Sequence, residues 1–394
     1  MSQTREPSSQ PAILRWRKNN HLPDDIVFNI LASLLVKSVI RFRCLCKSWD
    51  SSITSPNFIS THLKLNNHNH GARLLFLSST HSSIDTQVIC TVTCERTFDL
   101  ISKIQLPLCL PPTRIVGSIN GLLCLSKQYY YVPHSNHVYL WNPSIRKFKM
   151  ISNTSSILNT TLFHSSATGL GYHSQTNDYK VVRIFCWPRL NQIAVSPPQA
   201  EIYSLSLGSW RRLPGLFRPG VIFHNIFDSS LPAPFVSVAL HWLAHVSKSE
   251  KEPWQQRCIL TFDVNKDKFG LIPLPYAHCH RTAGFSYETP ILFEGKLALI
   301  EWERTSLLNV WVMKEYNVSQ SWTKLFVVPI NTNTGFLGYS ENGLILDRKN
   351  SYFDSAKGKI KHVLIDVETL HENDIGIQYM ESLVLLDRAD TFMQ

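Results

Sequence analysis

From residue 22 to residue 63 the apolar positions recur at helical spacing. Ile26, Ile30 and Leu34 come every four residues, with Val27 and Leu31 beside them, the wide stripe of a helix that lies on a core. Leu22-Pro23-Asp24-Asp25 supplies its start, because proline suits a first helical position and two acids suit the positive end of the helix dipole. Ser38 is placed to cap a second helix whose stripe is Val39, Phe42, Leu45 and Trp49, with Arg41, Arg43 and Lys47 projecting elsewhere. Ser55-Pro56 predicts the cap and first position of a third helix carrying Phe58, Ile59 and Leu63. Three such helices, about 45 residues, cannot bury this much apolar surface among themselves. They pack on the rest of the chain or dock on another protein.

Beyond residue 70 the pattern changes to short apolar runs separated by polar turns, the mark of strands. An aromatic, a turn and a second aromatic recur: Trp141 and Phe148, Tyr203 and Trp210, Phe262 and Phe269, Tyr316 and Trp322. Each reads as a hairpin. A second apolar strand precedes each by about twenty residues, at Gly121, Val182, His241 and Gly295. The same spacing marks Leu77 with Phe98, and Gly343 with Ile365. Further strands precede some units, as at 113–119 and 235–239. Six units of four strands predict a β-propeller; the alternative is a large sandwich with accidental spacing. The fold class expected is therefore α+β multidomain, a small three-helix module followed by a mostly antiparallel all-β, propeller-like domain of about six units.

Composition narrows the functional classes. Hydrophobic residues are 44% of the 394 and charged residues only 17%. The formal net charge is +10, and residues 1–66 hold nine Lys/Arg against four Asp/Glu. No basic run exceeds three residues and no aromatic-interleaved basic stripe occurs, so an ordinary basic surface is expected rather than a nucleic-acid grip. The first twenty residues are polar, without the apolar core of a signal peptide, and no stretch approaches a membrane span. A cytoplasmic or nuclear protein without membrane contact is the expectation. The nine cysteines form no CxxC and read as reduced thiols. Cys44 and Cys46, placed two apart on a helix, would point about 200° apart and share no metal; both are expected to pack as small hydrophobes.

Catalytic patterns are missing: no GxSxG, no phosphate-cradling GKS or GKT, no HExxH and no Rossmann glycines. The histidine clusters at 278–280 and 68–70 lack a second ligand pair. Glu301 and Glu303 share a face of a strand without evident partners. No metal, cofactor or catalytic residue is expected.

Residues 21–63 closely resemble the F-box, especially its plant form. Leu22-Pro23, Ile30-Leu31, Lys37-Ser38, Arg41-Phe42-Arg43, Cys46-Lys47-Ser48-Trp49 and the Ser55-Pro56 to His62-Leu63 tail carry the resemblance. It departs at Leu35, where the family usually has proline, and loss of that proline could lengthen the first helix. Residues 70–386 resemble the plant F-box-associated, kelch-like propeller domain, through 120–126, 140–149, 169–184, 203–211 and 379–384; the paired glycines of strict kelch repeats are absent. The organisation expected is a disordered tail (1–20), an F-box (21–65), the propeller domain (70–386) and a second tail (387–394).

The resemblance implies a substrate-recognition subunit of a Skp–cullin–F-box ubiquitin ligase. Its partners would be a Skp-type adaptor, the cullin and RING subunits, and a target protein. Leu22, Pro23, Ile26, Ile30, Leu31, Leu34, Leu35, Val39, Leu45 and Trp49 would serve adaptor binding, some of them from within the module. The alternatives are a scaffold that assembles no ligase, and a propeller enzyme, which would need paired carboxylates in the channel. Two further expectations concern the ring. Its first unit lacks a strand, and residues 379–386 are expected to supply it. The target is expected on the face carrying the long loops 187–199 and 247–257 and the connectors 152–167, 214–235 and 273–290. Phe217, Phe223, Ile226 and Phe227 in one connector, and Tyr276, Phe285 and Tyr287 in another, are the candidate anchors, unless they tuck back over the ring.

Overall fold

Pro23 caps the first helix, its carbonyl accepting the amides of Ile26 and Val27. α1 (Asp24–Ala32) carries Asp24 and Asp25 in its first turn and ends at Ser33, whose hydroxyl donates to the Ile30 carbonyl. It is not lengthened through Leu35, which instead caps α2 (Val36–Phe42) in an extended conformation, φ −58° and ψ 145°. The single second helix read from the sequence is two helices. α2 stops at Arg43, Cys46 is fully extended at φ −159° and ψ 159°, and α3 (Lys47–Ile53) starts anew. Phe42 and Trp49 still meet, with ring centroids 5.5 Å apart, and Arg43 spans the break to Asp50 at 2.7 Å. Cys44 and Cys46 therefore lie in a turn, and both are exposed rather than packed. α4 (Pro56–Asn69) closes the module: His62 is bonded to the Leu34 carbonyl at 2.9 Å, and Asn66 donates to the Ala32 carbonyl at 3.1 Å.

This computed structural model describes residues 22–69, 73–81, 86–106, 113–127, 137–151, 165–186, 189–190, 193–194, 198–214, 222–226, 231–247, 256–275, 287–302, 307–329, 336–340, 343–347, 351–362 and 375–384. Among the described residues the strands form six blades, antiparallel within each; the fourth has five strands, the first and sixth are joined into one sheet by the parallel pair Gly338 with Gly376, and a hairpin of two-residue strands at 189–194 stands apart. From the inner strand outward, the second blade is Thr113–Ile119, Leu122–Lys127, Val138–Asn142 and Lys147–Ile151. The third is Ser165–His173, Asp178–Cys186, Gln199–Ser204 and Ser209–Leu213. The fifth is Tyr287–Phe293, Lys296–Trp302, Leu307–Met313 and Trp322–Pro329, and the sixth Phe336–Tyr339, Leu344–Asp347, Ser351–Asp354 and Lys359–His362. In the fourth, Ile222–Ile226 and the two-residue Phe235–Val236 share the inner position beside Ala239–Ser247, with Gln256–Asp263 and Lys268–Pro273 outside. The first blade is assembled from both parts of the chain. Ile375–Tyr379 lies inside Arg73–His81, Thr86–Cys94 and Leu100–Gln105, and Arg73 is in register with Tyr379.

The closing strand is thus Ile375–Tyr379, just ahead of the 379–386 segment expected to supply it. Closure was legible because an unpaired edge on the first blade is costly; the register was not. The aromatic pairs fared similarly. Trp141 with Phe148, Tyr203 with Trp210 and Phe262 with Phe269 are direct cross-strand partners. Tyr316 is not: the fifth blade's hairpin is longer, with a 3-10 turn at Ser319–Ser321, and Trp322 faces Met313. Phe98 sits in a turn at φ 61°, and Ile365 lies outside the described residues.

Neighbouring blades approach closely along the channel. A Cβ on Gly117 of the second blade would lie 2.5 Å from the Leu170 Cβ of the third, so only glycine fits. The outermost strands present exposed Lys103, Arg211, Arg212, Lys268 and Lys324, charges that discourage edge-to-edge pairing. That accounts for part of the positive balance.

Candidate functional site

Topology gives the ring two unlike faces. Turns between first and second strands, and between third and fourth, share one face; second-to-third loops and the connections between blades share the other. The first set is tight, as at Asn120-Gly121 and Glu294-Gly295, where positive φ values are taken up by asparagine, glutamate and glycine. α4 leads to Arg73, at the tight-turn end of its strand, so the helical module joins the ring on that face. Its buried Leu31, Ala32, Val36, Val39, Ile53, Phe58 and Ile59 belong to one hydrophobic cluster with Val116, Leu122, Leu140, Tyr179 and Tyr203 of the second and third blades. The strand ends that flank the long segments lie on the opposite face.

The module does not bury everything against the ring. Leu22 is 58% exposed and Leu45 65%, and Pro23, Ile26, Ile30 and Leu35 are exposed too. Leu34 and Trp49 are half-buried, whereas Leu31 and Val39 lie in the core. The break between α2 and α3 turns Leu45 outward, a feature the helical spacing concealed. The expected docking set thus divides into six exposed side chains, two partly exposed and two that support them from within.

Of the anchors expected on the far face, the described side chains place two, and both are in the core. Phe223 and Ile226 lie on the inner strand of the fourth blade, 5% and 1% exposed, in the cluster with Val182, Leu240 and Phe262. They are core residues, because part of the presumed connector 214–235 is a strand. Tyr287 starts the inner strand of the fifth blade. Phe217, Phe227, Tyr276 and Phe285 lie outside the described residues, as does most of 152–167.

A segment of the fourth blade reaches across to the second. Between the two inner pieces of the fourth blade, residues 231–234 cross the ring: Leu231 joins the central cluster, and the Ala233 amide donates to the Val116 carbonyl of the second blade at 3.2 Å. His241 fixes this segment. It is fully buried, with Nδ1 3.1 Å from the Pro234 carbonyl and Nε2 3.0 Å from the Tyr316 hydroxyl. Burial pushes its pKa down to about 4, so the ring is neutral near pH 7. Nδ1–H then donates to the carbonyl, and Nε2 accepts from tyrosine. This explains the placement of Tyr316.

Two carboxylates do come together. Glu288 and Glu301 are direct cross-strand partners in the fifth blade, and both are buried. Each has a structural partner: Arg257 of the fourth blade reaches Glu288 at 3.0 Å, and the Trp311 indole donates to Glu301 at 3.3 Å. Through Arg257 they join the fourth and fifth blades. Glu303, the partner suggested by sequence, lies outside the described residues. Among the described residues no group of three or more His, Cys, Asp or Glu is placed to hold a metal, and no helix is long and apolar enough to cross a membrane.

Comparison with known proteins agrees with both parts. The F-box-associated beta propeller domain model matches residues 77–384, and the F-box domain model matches residues 20–61. F-box/kelch-repeat protein At3g23880 of Arabidopsis thaliana is 28% identical over 327 residues, 79% of this chain and 80% of the relative. F-box protein CPR1 of the same plant is 29% identical over 325 residues, 78% of this chain and 73% of the relative. Among solved structures, TolB from Acinetobacter baumannii aligns over 82% of this chain and 73% of its own, at 9% identity and a TM-score of 0.42, too distant to carry any argument. With a propeller model covering most of its length and an F-box model matching the helices before it, this chain belongs to the F-box-associated β-propeller family.

Proposed function

We propose that this chain is the substrate-recognition subunit of a Skp–cullin–F-box ubiquitin ligase. The observation that carries the reading is the exposed apolar surface of the helical module. Leu22, Ile26, Ile30, Leu35 and Leu45 stand in solvent within two dozen residues, although the module already shares a core with the ring. A contiguous exposed apolar surface of this kind marks a site where another protein docks. The Skp-type adaptor is the partner that an F-box implies. Leu22, Pro23, Ile26, Ile30, Leu35 and Leu45 make the contact, Leu34 and Trp49 flank it, and Leu31 and Val39 hold the helices in place. Cullin and RING subunits follow through the adaptor.

The propeller holds the target protein on its loop face, opposite the one the module joins. The chain supplies proximity and orientation; transfer of ubiquitin is left to partner enzymes. Proteins marked in this way are directed to degradation. Co-expression with a recombinant Skp-type adaptor and cullin tests the reading. The chain is expected to co-purify with both, and Ile30→Asp combined with Leu45→Asp is expected to abolish this while the ring melts as before. Adaptor binding that survives the double substitution would overturn the docking surface. Binding of adaptor without cullin would favour a scaffold over a ligase.

A further inference from the structure

Residues 380–384 follow the closing strand but do not continue the sheet. They cross the tight-turn face to the outer hairpin of the second blade. Asn142, fully buried there, has its amide nitrogen 3.0 Å from the Ser382 carbonyl, 3.1 Å from the Ser382 hydroxyl and 2.8 Å from the Val384 carbonyl. Its own side-chain oxygen accepts the Ser144 amide at 2.9 Å, and the Ser144 hydroxyl accepts the Ser382 amide at 3.1 Å and bonds the Tyr379 hydroxyl. Gly121, at φ 74°, leaves room for the crossing: a Cβ there would strike the Met380 carbonyl and come within 2.7 Å of the Ser382 hydroxyl. Glu381 pairs with Arg73, the first residue of the strand that follows α4.

Ring closure does not require any of this. The five residue pairs between Arg73–Leu77 and Ile375–Tyr379 close the ring by themselves. What the crossing does reach is the helical module. Leu383 and Val384 are buried in the cluster that contains Leu31, Val36, Val39, Ile53 and Phe58. Among the described residues, the chain connection after α4 and the remainder of that cluster are what else holds the module.

We propose that residues 380–384 are a latch that fixes the direction of the helical module relative to the ring. Asn142 is its anchor, and Leu383 and Val384 are its bolt. Its consequence for function rests on the receptor reading: a latched module holds the target-bearing face at one distance and angle from the adaptor, and a released one sweeps a cone. Asn142 and the 380–384 segment are thus positioning elements for ubiquitin transfer, remote from any reacting group.

The test compares the full chain with truncations after Tyr379 and after Val384, and with Asn142→Ala in the full chain. Calorimetry, hydrogen exchange and solution scattering are the readouts. Truncation after Tyr379 and Asn142→Ala are expected to leave a cooperative ring whose closing strand stays protected. The helices should melt separately and earlier, and the scattering profile should broaden. Truncation after Val384 should behave as the full chain. Helices and ring that still melt together with unchanged scattering would overturn the latch. So would loss of protection in the closing strand, which would make the segment part of ring closure. In an assembled ligase, the released variants should bind adaptor within about twofold of wild type yet modify a wider set of propeller lysines on themselves. An unchanged set also counts against the latch. If even the wild-type chain fails to bind adaptor, the receptor reading fails while calorimetry and scattering still decide the latch.

Discussion

The helical module and the ring treat large apolar residues in opposite ways. In the ring most of them meet each other: Trp141 is 2% exposed and Phe262 0%, and those left outside lie on outer strands and turns, as Met150 and Leu207 do singly and Leu307, Tyr316, Val318, Leu325 and Val327 do together in the outer hairpin of the fifth blade. In the module five stand exposed along one short stretch, beside neighbours that are completely buried. A ring of blades finishes its own core, because each blade covers the face of the next and the last strand pairs with the first. Four short helices cannot. On the receptor reading, the difference teaches that the module's stability and its adaptor binding draw on separate residues. Substitutions on the exposed stripe should cost binding without folding, whereas in the ring no such separation exists along the inner strands.

The largest effect that would sharpen this contrast comes from opening the ring. Truncation after Asp374 removes Ile375–Tyr379 and leaves the inner edge of Arg73–His81 unpaired. The product should aggregate or melt without cooperativity, whereas loss of residues 388–394 should be tolerated. A soluble truncation at 374 with a single sharp transition would show that the first blade is stable with three strands, and the ring would no longer count as self-finishing.

Next comes the module itself. Leu22→Ala together with Pro23→Ala, or Leu45→Asp alone, should leave the melting temperature of the full chain within a few degrees. Adaptor affinity should fall by roughly 10- to 100-fold, the worth of about 1.5–3 kcal/mol for burying one large side chain. Val39→Ala should do the reverse, destabilising the module by roughly 2 kcal/mol through a cavity while weakening adaptor binding only indirectly. Paired measurements of denaturation and adaptor affinity check this. If Leu45→Asp unfolds the module, the exposed stripe is part of the fold and the comparison breaks.

A smaller, pH-dependent effect distinguishes the ring again. His241 has a folded pKa of about 4 because burial disfavours its charged form. The unfolded chain therefore binds the proton first as pH falls. The contribution is complete above about pH 6.5 and is lost progressively towards pH 4, on the order of 2–4 kcal/mol in all. His241→Asn should flatten that part of the stability curve, seen by denaturant titration at several pH values. A wild-type curve with no slope between pH 6 and pH 4 would show that the crossing segment does not depend on this neutral tautomer.

These outcomes also mark what the sequence could reveal. Trp141 with Phe148 and Phe262 with Phe269 were legible because tight turns place partners at a fixed separation. Tyr316 misled because a longer hairpin happened to keep the spacing, and its hydroxyl serves His241 instead. The break at Cys46 was hidden because Val39, Phe42, Leu45 and Trp49 keep a helical period through a turn. Phe223 and Ile226 seemed to have no core period because their strand is only five residues long and is interrupted before its continuation at Phe235. The latch could not be seen at all: its anchor is a single asparagine whose partners lie some 240 residues away.

The smallest effect tests whether the module's departure from its family matters. Leu35 stands where proline is usual, and its φ of −58° lies close to the value a proline ring imposes. Proline also restricts the preceding residue away from helix, but α1 has already ended at Ala32 and capped at Ser33 before Leu34 is reached. Leu35→Pro should therefore fit without strain. It should stabilise the module by about 0.4–1 kcal/mol, by narrowing the unfolded ensemble. The leucine side chain it replaces is 45% exposed, so the core loses little. Adaptor affinity should change by less than about fivefold, since one partly exposed side chain is exchanged for the apolar face of a proline ring. Denaturation followed by hydrogen exchange in α1 and α2, together with adaptor titration, gives both numbers. A loss of more than 1 kcal/mol would mean that the link between α1 and α2 needs the Leu35 amide or a helical Leu34. The module would then reach its docking surface by a different first turn from the one described.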